Sequence, residues 1–261
     1  MDFAFDDVQG ELRTQARAWL EERYPLDRDW DAPQDDRWNE LEELGWLDVA
    51  GAGLGFVEEA LLLEEMGYAL YPGPYLAHVA GQAAANGYAF DGDCDVESVD
   101  PTRPLRRVAN GAAETSRLRA AMAAEAVGVA QRALELGVEY AKTREQFGKK
   151  IGVYQAVSHQ LANTYTDVEL ARSLVYWAAW CVAEEDAQAA VAAAAAKAFA
   201  AEAAVAACER SIQVHGGIGF TWEHPLHRFY KRALWLEGVG SRPPELRAEV
   251  ADALLGTAVL V

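Results

Sequence analysis

The chain has 261 residues, of which 51% are hydrophobic, and its 41 acidic and 23 basic side chains give a formal net charge of −18. This hydrophobic content excludes an acidic disordered chain and is enough for a sizeable core. The negative charge repels phosphate backbones and anionic membrane surfaces, so neither nucleic acid nor a membrane is an expected partner.

The first part of the chain shows helical patterns separated by turns. Apolar residues recur at helical spacing in three stretches, which are residues 5–24, the segment around Leu41, and residues 57–70. We predict an N-terminal α-helical domain over residues 1–76. Residues 88–108 then offer only short β-like runs, turns and two prolines, too little for an independent sheet. We therefore predict a vestigial β-domain or linker over residues 77–114.

From residue 115 onward, long helical patterns dominate. Ser116 is the candidate N-cap of the first of them. The predicted helices occupy residues 116–142, 154–185 and 187–215, a shorter segment opened by Pro225, and residues 244–255. Long helices joined by short connections favour an up-and-down four-helix bundle over residues 115–261. The predicted fold class is mainly α.

Three further patterns concern the environment of the chain. Residues 187–207 are the most apolar run, but they are mostly Ala and include Lys197 and Glu202, which suits a buried helix better than a membrane span. The opening MDFAFDDVQG lacks the features of a signal peptide. The three cysteines show neither a CxxC pair nor a Cys/His metal pattern. We expect a cytoplasmic protein with reduced cysteines and no metal site.

The segment TREQFGKKIGVYQ (143–155) joins the first two bundle helices. Arg144 supplies a fork of donors, Gly148 permits close backbone approach, and Gln155 adds an amide, so the segment can cradle a phosphate. The alternative is an ordinary helix end, with Gly148 just after the C-cap and two lysines near the negative end of the helix dipole. Taken alone, the segment favours this alternative.

The segment SIQVHGGIGFTWEHP (211–225) has two consecutive glycines and a third two residues later. Their N–H groups can form an anion-binding nest, but a helix stop followed by a new start at Pro225 also explains them. A long Ala-rich helix precedes the glycines where a dinucleotide-binding fingerprint requires a strand. The segment therefore does not indicate a Rossmann fold.

Together, RxxFG followed by Gln, and QxxGGxGF, resemble the flavin-contact segments of the acyl-CoA dehydrogenase family. AVGVAQRALELGVEYAKTREQFGK (126–149) is similar to the first C-terminal helix of that family, and ELGWLDV and EEMGYALYPGPYL are similar to its N-terminal helices. The resemblance covers nearly the whole chain. It implies FAD shared between subunits, with this chain touching the pyrophosphate and adenosine of a partner's FAD in trans. The residues assigned to that contact are Arg144, Phe147, Gln155, Gln213, Gly216 and Gly217.

The resemblance also shows what has changed in this chain. In the family a carboxylate removes the α-proton of the thioester while hydride passes to the flavin. The position that the resemblance assigns to this carboxylate is Gly240, and a second position known in the family corresponds to Leu118. Glu237 is the remaining candidate base, if the loop is shifted. With the β-domain reduced as well, no catalytic residue is assigned.

The resulting hypothesis is a small, non-catalytic subunit of a heteromeric FAD-dependent acyl-CoA dehydrogenase, arranged as an α2β2 tetramer. A full-length acyl-CoA dehydrogenase subunit is the expected partner, and the expected substrate is a bulky acyl-CoA, such as a steroid-derived thioester. Two alternatives stay open. One is a non-redox scaffold with the same fold, and the other is a stand-alone isomerase or cyclase that uses Glu237 as acid or base.

Overall fold

The computed structural model describes residues 5–32, 34–85, 87–90, 96–108 and 113–256. Its helices in the N-terminal part are α1 (Asp7–Arg23), α2 (Trp38–Glu43), α3 (Phe56–Ala69) and α4 (Tyr75–Ala80). The C-terminal helices are α5 (Ser116–Thr143), α6 (Gln155–Ala183), α7 (Ala189–His215), α8 (Leu226–Gly238) and α9 (Pro243–Leu255). The predicted mainly α fold is confirmed.

The β-structure in the described residues is small. The strands are β1 (Ala84–Ala85), β2 (Tyr88–Ala89), β3 (Arg106–Arg107), β4 (Glu145–Gln146) and β5 (Lys149–Lys150). The first three form an antiparallel sheet in the order β1-β2-β3, and the last two form a hairpin. Strands of two residues match the predicted reduction of the middle region. Part of residues 77–114, including Cys94, lies outside the described residues, and the predicted boundary at 76 falls within α4.

Helix α5 begins one residue earlier than the predicted N-cap implies. The Thr115 side chain accepts a hydrogen bond from the backbone N–H of Leu118 at 3.1 Å and has extended backbone angles, so Thr115 is the N-cap. Ser116, predicted to be the cap, is the first helical residue. The prediction was wrong because both residues are hydroxyl side chains with similar capping preference, so local sequence does not separate them.

Helices α3 and α5 cross in very close contact. A Cβ atom added at Gly67 would overlap the backbone carbonyl of Glu125, and one at Gly128 would overlap that of Glu64. Each glycine therefore allows the other helix's backbone to approach. This crossing attaches the N-terminal helices directly to the first helix of the bundle.

A single large core cluster runs from α1 through α8. Helix α7 lies at its centre, because α5, α6, α8 and α9 all pack against it. The segment Ala189–Phe220 is long and apolar enough to cross a membrane by composition alone, but 67% of its most apolar window is buried inside the protein. Its hydrophobicity is therefore used in packing the bundle.

A buried charge cluster fastens the short middle region to the bundle. Asp100 and Arg103 come from the segment before β3, Glu125 from α5 and Arg232 from α8. Arg232 pairs with both Asp100 and Glu125, and Arg103 also pairs with Glu125. Burial disfavours charge at Asp100, but Arg232 holds the pKa of that carboxyl below its usual range. We call these four residues the buried charge cluster.

Candidate functional site

The two glycine-containing segments singled out in the sequence lie at the same end of the bundle. The ring of Tyr140 in the last turns of α5 stacks on His215, the last residue of α7, with centroids 4.4 Å apart. A Cβ at Gly152 would lie 3.1 Å from the carbonyl oxygen of Ala141, so the segment that leads into α6 lies close against α5. We call residues 140–155 and 211–222 the bundle end.

Residues 145–150 form a hairpin, which differs from the ordinary helix end at Gly148 considered as the alternative for this segment. Helix α5 ends at Thr143, and Arg144 continues in extended conformation. Strands β4 and β5 then pair around a two-residue turn of Phe147 and Gly148, whose φ angles are 53° and 73°. Positive φ at both turn positions matches the right-handed twist of a tight hairpin. The turn leaves the Phe147 ring 93% exposed.

The polar side chains assigned to the cofactor also point outward from the chain. Arg144, Gln155 and Gln213 are all exposed. The backbone of Arg144 is fixed, since its N–H donates to the Tyr140 carbonyl at 2.8 Å. Its guanidinium takes part in none of the hydrogen bonds or ion pairs formed among the described residues. The fork of donors is therefore available to a ligand.

The turn after α7 contains two consecutive glycines, and the structure requires glycine at only one of them. Gly216 has φ 64° and ψ −138°, a backbone conformation that favours glycine. Gly217 has no such requirement, and a Cβ added to it would meet nothing within 4 Å. Neither packing nor backbone conformation within this chain requires glycine at 217. Close approach of a group from outside the chain would require it.

The charge of the bundle end is opposite to that of the whole molecule. Residues 140–160 contain four basic side chains and one acidic side chain, a net charge of +3, and residues 211–222 contain no acidic or basic residue apart from His215. The chain as a whole carries −18. A local positive region in an acidic protein concentrates anions at that surface.

The histidines of this region contribute packing and little charge. His215 lies between the rings of Tyr140 and His224, and its Nδ1–H donates to the Ser211 carbonyl at 2.8 Å. Burial lowers the pKa of His215, and burial together with the neighbouring histidines lowers the pKa of His224 to about 4. Both rings are therefore neutral at pH 7. Among the described residues, no group of three or more His, Cys, Asp or Glu is placed to hold a metal ion.

The position assigned to the catalytic carboxylate is filled by an internal ion pair. Gly240 has φ 78°, and a Cβ added there would overlap the carboxylate of Glu114 and lie 2.8 Å from Lys197 Nζ. Lys197 pairs with Glu114 and also donates to the Val239 carbonyl at 2.8 Å. Burial opposes ionisation of Glu114, but Lys197 holds its pKa below the usual range. Leu118, at the second position, is fully buried.

This ion pair was missed by the sequence reasoning. Lys197 carried a usable signal, because a lone lysine in an Ala-rich buried helix needs a counter-charge. No local pattern identified Glu114 as the partner, since it lies in a connecting segment 83 residues earlier in the chain. The contact exists only in the folded bundle.

Glu237 does not line the cavity at the end of α8. A cavity of about 260 Å³ is lined by the short middle region and the end of α8, including Trp235 and Val239, but Glu237 is not among its lining residues. Burial raises the pKa of Glu237, and Glu202 and Glu209 add to the effect. These two acids lie on α7, so Glu237 faces that helix.

The architecture defines a mainly α protein with an N-terminal group of helices, a reduced middle region and a C-terminal bundle. Residues 6–92 match the acyl-CoA dehydrogenase N-terminal domain, and residues 108–240 match the acyl-CoA dehydrogenase C-terminal domain. The chain belongs to the acyl-CoA dehydrogenase family, whose members are FAD-dependent oxidoreductases.

Individual relatives agree with this assignment. The chain is 34% identical over 249 residues to acyl-CoA dehydrogenase IpdE2 of Mycobacterium tuberculosis, and the alignment covers 74% of each protein. The ChsE4-ChsE5 complex from Mycobacterium tuberculosis contains a similar chain, with a TM-score of 0.78, 21% identity and coverage of 98% of this chain and 100% of that one. The Tcur3481-Tcur3483 steroid ACAD, solved as a variant, also contains a similar chain. Its TM-score is 0.79 at 24% identity, and the match covers 97% of this chain and 99% of that one. At these identities the two structures show the shared fold.

Proposed function

We propose that this chain is a small, non-catalytic subunit of a heteromeric FAD-dependent acyl-CoA dehydrogenase. Its bundle end binds the pyrophosphate and adenosine of an FAD whose ring system is held by a full-length partner subunit. FAD, when bound, supplies the hydride acceptor for α,β-dehydrogenation of an acyl-CoA. This chain's own residues hold and orient the phosphate side of the cofactor.

The observation that carries the proposal is the open glycine at 217 beside a basic surface. Gly217 has free space where a side chain would stand, and Arg144 offers an unused guanidinium at the same end of the bundle. Backbone N–H groups at a glycine turn and an arginine fork are the donors that a pyrophosphate requires. Phe147, Gln155, Gln213 and Gly216 complete the proposed contact surface.

The non-catalytic role is supported by the filled base position. A carboxylate side chain at 240 has no room, because Glu114 and Lys197 occupy the space. The partner would therefore supply both the base and the β-domain that covers the flavin. A division of the chain into residues 1–76, 77–114 and 115–261 and a cytoplasmic location belong to the same proposal.

The substrate and assembly follow by analogy with the structural neighbours. One of them is named as a steroid ACAD built from two different chains, and another is a complex of two chains. We infer an α2β2 assembly that acts on a bulky, steroid-derived acyl-CoA. Loss of most of the middle domain in one subunit would widen the cleft for such a substrate.

The test is co-expression with a full-length acyl-CoA dehydrogenase from the same organism. We expect a colourless lone chain and a yellow complex that oxidises acyl-CoA. Arg144→Ala should assemble normally but lose FAD on desalting, with an affinity at least about tenfold weaker, equivalent to about 1.4 kcal/mol. Arg247→Ala is the matched control, because Arg247 is exposed and pairs with Glu202 on α7. Full FAD retention by the Arg144→Ala complex would overturn the cofactor assignment.

A further inference from the structure

A cavity of about 200 Å³ lies between the ends of α1 and α3, the middle of α5 and the start of α8. Its walls include the buried aromatic residues Tyr24, Tyr68 and Phe229. Both tyrosine hydroxyls donate to acceptors that do not line the cavity. We call this space the Arg28 cavity, after an arginine in its wall. The aromatic rings give it a mainly apolar interior.

Arg28 brings a positive charge to the Arg28 cavity without a counter-charge from the chain. Its Nη1 donates to the Tyr24 carbonyl at 2.8 Å, and its Nη2 donates to the Ala69 and Leu70 carbonyls at 3.1 and 3.2 Å. These carbonyls end α1 and α3, so they offer only the partial negative charge of a helix C-terminus. No carboxylate in the described part of the chain pairs with Arg28, and its buried Nε has no hydrogen-bond partner there.

Two other arginines of the interior show what is missing at Arg28. Arg172 pairs with Glu64, and Arg232 pairs with two carboxylates. Although burial opposes their charge, these partners raise the pKa of both arginines. At Arg28, burial and the nearby Arg232 and Arg228 lower the pKa to about 9. The guanidinium is still charged at pH 7, and an anion beside it would offset part of the cost of burying that charge.

Arg132 adds a second guanidinium to the wall of the Arg28 cavity. Its Nη1 donates to the Tyr68 hydroxyl at 2.7 Å and lies 3.6 Å from the Glu135 carboxylate. Its Nε and Nη2 take part in none of the hydrogen bonds among the described residues. Glu21 also lines the cavity, but it is exposed to solvent. Two cations and one solvated carboxylate therefore favour an anionic ligand, in a chain whose net charge is −18.

The volume and the walls limit the kind of anion. A water molecule occupies about 30 Å³ in the liquid, so the Arg28 cavity has room for about six non-hydrogen atoms. Inorganic phosphate has no apolar part to bury against the aromatic walls. An aliphatic group buries its surface there, while a carboxylate on the same molecule forms charge-assisted hydrogen bonds with guanidinium groups.

We propose that the Arg28 cavity binds a small monocarboxylate with a short aliphatic body, of about four carbon atoms in all. The carboxylate supplies the counter-charge for Arg28 and accepts hydrogen bonds from Arg132, and the aromatic walls enclose the aliphatic part. Arg132 precedes Arg144 by a length of about 18 Å along α5, so this site is separate from the proposed cofactor surface. The inference goes beyond the proposed function and does not depend on it.

The test titrates the purified chain with sodium butyrate and with butyramide, an uncharged molecule of the same shape, at constant ionic strength. The backbone amide shifts of Tyr24, Leu26 and Arg28 in two-dimensional ¹H–¹⁵N NMR spectra report binding in the Arg28 cavity. We expect butyrate to bind at least about tenfold more tightly than butyramide, because only butyrate pairs with the arginines.

Substitutions then locate the binding. Arg28 is left in place, since its bonds to the ends of α1 and α3 contribute to folding. Arg132→Gln removes the other cation and should weaken butyrate binding at least about tenfold, with butyramide binding unchanged. Arg210→Gln is the matched control, because Arg210 is a partly exposed helical arginine that pairs with Asp167, and it should keep the wild-type affinity. Ala69→Leu retains both cations but fills the cavity, so it should abolish the binding of butyrate.

The possible results either support the site or remove it. Equal affinities for butyrate and butyramide would overturn the proposal, and so would wild-type butyrate affinity in both Arg132→Gln and Ala69→Leu. Tighter binding of phosphate than of butyrate would assign the cavity to an inorganic anion and overturn the carboxylate assignment. Urea unfolding of each variant separates lost binding from lost folding, and Arg132→Gln decides the matter where Ala69→Leu does not fold. Retention of FAD by the Arg144→Ala complex would remove the cofactor role and leave these results standing.

Discussion

At the scale of single residues, two glycines have opposite surroundings. A Cβ at Gly240 would overlap Glu114 in a backbone conformation with φ 78°. A Cβ at Gly217 would meet nothing within 4 Å. The first glycine is required by the interior of this chain. The second is required, in our proposal, by a cofactor that comes from outside it.

Substitution by alanine should separate these two roles. We expect Gly240→Ala to lower the free energy of unfolding by about 2 kcal/mol or more, through strain and overlap, in urea unfolding of the lone chain. Gly217→Ala should stay within about 0.5 kcal/mol of the wild type in the same assay but weaken FAD retention by the complex. Gly240→Glu should be less stable than Gly240→Ala and gain no dehydrogenase activity. A stable, active Gly240→Glu chain would contradict the filled base position.

The neutral His224 makes stability depend on pH in a defined direction. Its pKa is about 4 in the folded chain, below the value of about 6.5 expected in the unfolded chain. The unfolded chain therefore binds the proton first, and the stability is complete above pH 6.5 and lost as the pH falls towards 4. We expect His224→Gln to reduce the loss of unfolding free energy between pH 7.5 and pH 5.5. Equal slopes for the wild type and the His224→Gln variant would refute the assignment.

At the scale of elements, the buried charge cluster holds the short middle region against α5 and α8. Glu125 is fully buried and pairs with both Arg103 and Arg232. Removal of one partner from such a cluster leaves buried cations without compensation. Removal of one partner from an exposed ion pair lowers the stability little. Glu202 and Arg247 form such a pair, because both side chains are substantially exposed.

We therefore expect Glu125→Ala to reduce the free energy of unfolding by about 3–5 kcal/mol, measured by chemical denaturation. Glu202→Ala, the control, should cost no more than about 1 kcal/mol. The decisive result is a larger loss of unfolding free energy for Glu125→Ala than for Glu202→Ala. Similar losses for both variants would show that the buried charge cluster does not hold the middle region in place.

The sequence predicted the long helices better than their connections. Apolar periodicity over more than twenty residues determines α5, α6 and α7, because a helix of that length has one dominant buried side. The hairpin at Phe147 and Gly148 escaped prediction, since a glycine followed by lysines is also typical of a helix C-terminus. The contact between Glu114 and Lys197 escaped it for another reason: it joins distant parts of the chain and has no local pattern. The residues of the proposed cofactor surface were assigned through the family resemblance, because each segment taken alone also fits an ordinary helix end.

At the scale of the whole molecule, helices α1 to α8 share one core, and α9 buries Leu246 in a small second cluster with Ala194 and Ala198 of α7. The buried cluster extends from Ala16 in α1 to Val239 beyond α8, and the close crossing of Gly67 and Gly128 joins the N-terminal helices to the bundle. We expect the lone chain to fold without FAD and to unfold in one cooperative transition. Coincident urea curves from circular dichroism and tryptophan fluorescence would check this. Two separate transitions would indicate that the N-terminal helices and the bundle are independently stable.

The contact between Gly240 and Glu114 constrains how the sequence can change over evolutionary time. A substitution to glutamate at 240 would meet the Glu114 carboxylate, while prior loss of Glu114 would leave the buried Lys197 without its counter-charge. Each single substitution therefore gives a destabilised protein. A glutamate at 240 requires changes at 114 and 197 as well. Such epistasis makes a glutamate at 240 hard to acquire by single substitutions.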